Sequence, residues 1–196
     1  MKLKKTLHLL FITIIGLAIV SIVSCAQPPE EEMAAAREAV EQAQGNPDVR
    51  EYAQQSLEDA QQLLAEMESA AENEEYDSAR TLAGEAQAAA EQAVEDATNA
   101  KASARDRAET SVADATAALE EARTALDDAR DVPGLRLDLS ATESDLDTSA
   151  DEVSQAEAAF QEEEYAEAET LAENARASIS DTIRRISSAV REASAK

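Results

Sequence analysis

Residues 74–130 read EEYDSARTLAGEAQAAAEQAVEDATNAKASARDRAETSVADATAALEEARTALDDAR. Ala79, Ala83, Ala86, Ala90, Ala93, Ala97, Ala100 and Ala104 alternate steps of four and three, the spacing of a heptad seam. The step is then four twice, to Ala108 and Val112, before the alternation resumes through Ala115, Leu119, Ala122, Leu126 and Ala129. An inserted step of this kind is a stutter, which locally unwinds a supercoil. The segment holds no proline and one glycine, Gly84. The pattern predicts a helix of some 55 residues, about 80 Å long, with the charged cluster Lys101, Arg105, Asp106, Arg107 as the alternative break point.

Shorter helices flank this one. Glu30 to Gln44 forms a first helix that stops at Gly45-Asn46-Pro47, and Asp48 is placed to cap a second. The seam of the second is Ala53, Leu57, Ala60, Leu64, Met67 and Ala71, with Asn73 as the left-handed residue at its end. Val132-Pro133-Gly134 is the next stop. Beyond it, one helix carries Leu139, Leu146, Val153, Ala156 and Phe160. The last carries Ala168, Ala172, Ala175, Ile179, Ile186 and Ala193, flanked by Leu171, Ile183 and Val190.

These elements recur. Ala36-Arg37-x-Ala39 through Pro47 returns as Ala122-Arg123-x-Ala125 through Pro133. Glu74-Glu75-Tyr76-x-x-Ala79-x-Thr81-Leu82-Ala83 returns as Glu163-Glu164-Tyr165-x-x-Ala168-x-Thr170-Leu171-Ala172. The expectation is an all-α protein: an elongated antiparallel helical bundle or coiled coil, with two tandem three-helix repeats sharing a long central helix. The repeats are placed at 33–107 and 108–196.

The N-terminus is of another kind. Lys2, Lys4 and Lys5 precede a nearly unbroken apolar run from Leu7 to Val23, the charge and hydropathy order of a secretory signal peptide over 1–24. The residues at its end, Ile22-Val23-Ser24-Cys25-Ala26, resemble the lipobox of bacterial lipoproteins. That resemblance implies cleavage after Ser24, acylation of Cys25 and a short tether over 25–32. Cys25 is the one cysteine, so no disulfide forms within the chain. The resemblance further implies a partner, the membrane itself, held through the lipid. Ala26 after the cysteine, where inner-membrane retention would call for Asp, implies the outer membrane facing the periplasm.

The helical pattern itself, an Ala-rich helix, a Pro turn, a helix with Leu57 and Leu64, then Glu-x-Tyr-x-x-Ala-x-x-Leu-Ala, resembles the envelope family known as domain of unknown function 4398. Members of that family are typically lipoproteins or exported proteins, some followed by a peptidoglycan-binding domain of the OmpA type. No such domain is read in this sequence. Tyr76-x-x-Ala79 also resembles the second helix of a tetratricopeptide repeat, but the 86- to 89-residue period and the long helices do not fit that array.

Charge and composition exclude several function classes. The chain carries −25, and loss of the three signal lysines takes it to −28. A surface so acidic has no basic patch for nucleic acid. His8, the one histidine, lies in the signal, and Gly45, Gly84 and Gly134 build no phosphate loop. With no imidazole and no free thiol, histidine-dependent and thiol catalysis are excluded from the mature chain. The acidic runs Glu30–Glu32, Glu72–Glu75 and Glu162–Glu164 read as solvated surface, and no cofactor, metal or catalytic residue is expected.

From Arg176 to Lys196 the charge reverses to +3. Arg184, Arg185, Arg191 and Lys196 are the candidate contacts for an anionic envelope polymer such as peptidoglycan. The alternative is complementarity to the helix C-terminal dipole and to acidic neighbouring helices. The terminal Lys196 is similar to the end of the murein lipoproteins, though the aromatic-basic tail of those proteins is missing. The functional expectation is a non-enzymatic lipoprotein acting as a spacer or interaction scaffold, with other envelope proteins as partners and self-association through weak alanine seams. The alternative is a periplasmic carrier or holdase with an apolar groove.

Overall fold

The computed structural model describes residues 27–195. The described chain is all helical: α1 (Glu30–Gly45), α2 (Pro47–Tyr52), α3 (Gln54–Glu72), α4 (Tyr76–Arg130), α5 (Leu139–Gln161) and α6 (Tyr165–Ser194). No strand occurs among the described residues. The described residues divide into two compact units, one ending at Asp96 and the other beginning at Ala97. The long α4 contributes residues to both.

α4 is one continuous helix through the phase shift. Its buried alanines pass from Ala97 to Ala108 and from Ala104 to Ala115. Both are 11-residue steps, about three turns, which return the stripe to nearly the same side of the helix. The charged cluster at 101–107 therefore breaks nothing. Alanine has the highest helix propensity, and side chains four apart add local support. Gln87 donates to Glu91 at 3.0 Å and Gln92 to Asp96 at 2.9 Å.

In the first unit, Met33 and Ala36 of α1 pack with Met67 of α3 and with Ala83 and Ala86 of α4. Helix axes approach most closely where the facing side chains are small, and alanine is the smallest that keeps a methyl in the seam. In the second unit larger residues enter. Leu119 and Leu126 of α4, Leu146 and Val153 of α5, and Ile179 and Ile186 of α6 share one core with the alanines.

The turns correct three sequence expectations. The second helix is capped by Asn46, whose side chain accepts from the Asp48 N–H at 2.9 Å. Asp48 thus donates its backbone where it was expected to cap. The segment 47–72 is also two helices, broken at Ala53. At the end of α3, Asn73 stays at φ −84°, and the left-handed residue is Glu74, φ 59°. The hydrogen bonds decide this. Glu75 N–H reaches Ala70 O and Glu74 N–H reaches Ala71 O, the two bonds of a Schellman turn with Glu74 at its left-handed position. The turn after α5 repeats it: Glu164 N–H to Ala159 O, Glu163 N–H to Phe160 O, and Glu163 at φ 64°.

Candidate functional site

The 89 residues between Glu74 and Glu163 pair the stations of α3 and α4 with those of α5 and α6. Ala53, Leu57, Ala60 and Ala93 are buried in the first unit, and Thr142, Leu146, Ser149 and Thr182 are buried at the matching places in the second. Three of those four positions have exchanged alanine for a hydroxyl. Half-buried Leu63 is matched by half-buried Glu152. A helix seam that accepts alanine has no packing need for these hydroxyls, and burying polar groups is favourable only where they find partners.

Thr182 finds two. Its hydroxyl donates to Ser178 O at 3.2 Å and accepts from Arg185 Nη2 at 3.0 Å. Thr142 donates to Asp138 O at 2.8 Å. Glu152 does not complete its set: Oε2 is shut off from solvent and accepts no hydrogen bond. Thr182 and Glu152 border a groove of about 690 Å³ between α5 and α6. Its charged walls are Asp145, Glu152 and Asp181 against Arg184 and Arg185, and Thr148, Ser149, Ser178 and Ser188 add hydroxyls.

Arg184 and Arg185, predicted from sequence as polymer contacts, are therefore brought together at this groove, and both are paired. Arg184 binds Asp181 one turn back on α6. Arg185 reaches Asp145 on α5. Arg176 likewise pairs with Asp114 of α4 at 3.4 Å. Arg191 is exposed in the last turn of α6. Ser24, Cys25 and Lys196, with the whole signal segment, lie outside the described residues.

Sequence reasoning passed over Glu152, Ser149 and Thr182. The available signal was the repeat itself, which aligns each with an apolar residue.

Electrostatics elsewhere is that of a half-exposed surface. Hydrogen bonding from its own backbone N–H, then from Arg80, holds the Glu32 carboxyl below the usual carboxylate range. Donation from the Ser56 hydroxyl, then from Gln92, does the same for Asp96. Among the described residues no three His, Cys, Asp or Glu side chains are grouped to hold a metal ion. No helix among them is long and apolar enough to cross a membrane.

Residues 31–109 match the family described as Domain of unknown function (DUF4398). The matched stretch runs from the first turn of α1 into the middle of α4. No curated protein matches the chain. No solved structure matches it either.

Proposed function

We propose that the protein is a non-enzymatic lipoprotein of the cell envelope, anchored through lipid on Cys25, that acts as a spacer or interaction scaffold through the outward faces of its helices. The observation that carries this reading is where the apolar side chains lie. Among the described residues Val94, at 38% exposure, is the exposed large hydrophobic, and most of the other large apolar side chains are packed in the seams between helices; Phe160 is half buried and borders, with Val112, an open groove of about 490 Å³. A carrier or holdase needs a concave apolar surface free for its client. A spacer needs its apolar residues inside and a polar exterior, which ion pairs such as Arg37–Glu68 (2.9 Å) and Lys101–Glu163 (2.9 Å) provide.

The resemblance of Ser24-Cys25-Ala26 to a lipobox supports the anchor, and Ala26 supports the outer membrane as its location. Two acyl chains already give stable membrane residence, so the strongly acidic body needs no contact of its own with anionic headgroups. The test is envelope fractionation of the Cys25→Ala variant. Release of the processed chain from the membrane is the expected result. Retention of that chain would remove the anchor from this reading. Strong enhancement of an apolar dye by the native protein would turn the choice toward the holdase.

A further inference from the structure

We infer that the groove between α5 and α6 is a binding site for a small ligand that carries an ammonium group among hydroxyls, of the amino-sugar class. Three observations converge on it, and none belongs to the scaffold role.

The first is the contrast within the chain. At matched stations the first unit has Ala60, Leu63 and Ala93, and the second has Ser149, Glu152 and Thr182. Burial at the stations is the same in the two units. Packing alone is thus satisfied by apolar side chains, and the polar set is an addition to it.

The second is the unmet acceptor. Glu152 Oε2 has neither solvent nor a hydrogen-bond donor, a costly state for a carboxylate. The donors nearest in kind are occupied: Arg184 holds Asp181 and Arg185 holds Asp145 and Thr182. The group that would best complete Glu152 is a cationic donor, and neither arginine of the groove is free to supply one.

The third is the surplus of acceptors around it. Thr148 donates its hydroxyl proton to the Ser144 carbonyl and keeps its lone pairs for another donor, whereas Thr182 donates to Ser178 O and already accepts from Arg185. Ser149, Ser178 and Ser188 line the same groove. A donor-rich ligand with one positive charge and several hydroxyls meets this lining. A phosphate or sulfate does not, because both arginines are already neutralised.

The test uses the full-length protein in neutral detergent, titrated with glucosamine at mildly acidic pH, where its amine is charged. Glucose and N-acetylglucosamine serve as probes lacking the ammonium. Saturable glucosamine binding is expected, at least about tenfold tighter than either control, since a hydrogen bond to a charged group is worth that factor or more. Glu152→Gln should weaken it by at least about tenfold. Glu152→Leu copies Leu63, so that variant should melt no lower than the native protein and still lose binding. Asp147→Asn, an exposed acid outside the groove, should bind as the native protein does. Absence of saturation at about 10 mM, equal binding of glucose, or an equal loss in Asp147→Asn would overturn the assignment.

Discussion

Arg185 Nη2 donates to Asp145 Oδ2 across forty residues of chain, at the stations where Ser56 and Asp96 meet 89 residues earlier. There the Ser56 hydroxyl donates to Asp96 at 2.6 Å, again across forty residues. One helix-to-helix contact is thus made twice with different chemistry. In the first unit the acid sits on α4; in the second it has moved to the partner helix and an arginine has taken its place. The position, rather than the residue type, links the helices.

Both side chains of the Arg185–Asp145 pair are half exposed. Exposed ion pairs contribute about 0.2–1 kcal/mol and are screened by salt. A double-mutant cycle on Arg185→Ala and Asp145→Ala, read by urea unfolding, should give a coupling within that range that shrinks at high salt. Arg185→Ala alone should cost more than Asp145→Ala, because it also removes the donor to the Thr182 hydroxyl. A coupling of several kcal/mol would show the pair to be shielded from water, contrary to its exposure.

Glu74 and Glu163 each hold a left-handed backbone with a full side chain. That conformation costs a residue with a Cβ about 1–2 kcal/mol, and glycine adopts it freely. Glu74→Gly should therefore stabilise the protein by up to about 1 kcal/mol once the extra freedom of the unfolded chain is deducted. Glu163→Gly should gain less, since it also gives up the 2.9 Å pair with Lys101. A lower denaturation midpoint for Glu74→Gly would mean that the glutamate side chain does more than the backbone argument allows.

The same turn shows what the sequence made legible and what it did not. Helix positions were open to reading because alanine at heptad spacing, Gly45 and Pro133 mark seams and stops directly. The left-handed residue was not. Asparagine's local preference pointed to Asn73, but two hydrogen bonds back into α3 place the turn one residue later. The polar groove was missed for a different reason. Apolar periodicity marks only apolar residues, so Ser149 and Thr182 fell in the gaps between Leu146 and Val153 and between Ile179 and Ile186. Glu152 looked like one more surface acid. Only its match to Leu63 separates it from the others.

Alanine in the α1–α3–α4 seam sets how closely the helices approach, which gives an overpacking test. Ala83 and Ala86 are fully buried against Met33, Ala36 and Met67. Ala83→Leu inserts three carbons with no room to receive them and should cost about 1–3 kcal/mol or more. Gly84 is exposed on the opposite side, and a Cβ there would meet nothing within 4 Å. Gly84→Ala should instead raise stability by about 1 kcal/mol through helix propensity. Thermal melts by circular dichroism should move in opposite directions for these neighbours. A shared direction would place the seam elsewhere.

Acidity works on this protein in two opposed ways. At neutral pH the excess of carboxylates repels itself, so lowering the pH toward the ordinary carboxylate range relieves repulsion and should raise the melting temperature. Glu32 and Asp96 act in the other sense. Their folded pKa values lie below the usual carboxylate value, so their contribution is fully present above the unfolded pKa. It is lost as the pH falls through the folded one. The melting temperature should therefore pass through a maximum in the acid range and decline below about pH 4. Ser56→Ala isolates one part of that decline. Without the hydroxyl donor that chiefly holds it down, the Asp96 carboxyl should titrate closer to an unperturbed aspartate, as followed by carbon-detected NMR of the side-chain carboxyl. If Asp96 titrates in Ser56→Ala as it does in the native protein, the Ser56 contact is not what lowers it, and the first unit's helix link would rest on Gln92 and packing alone.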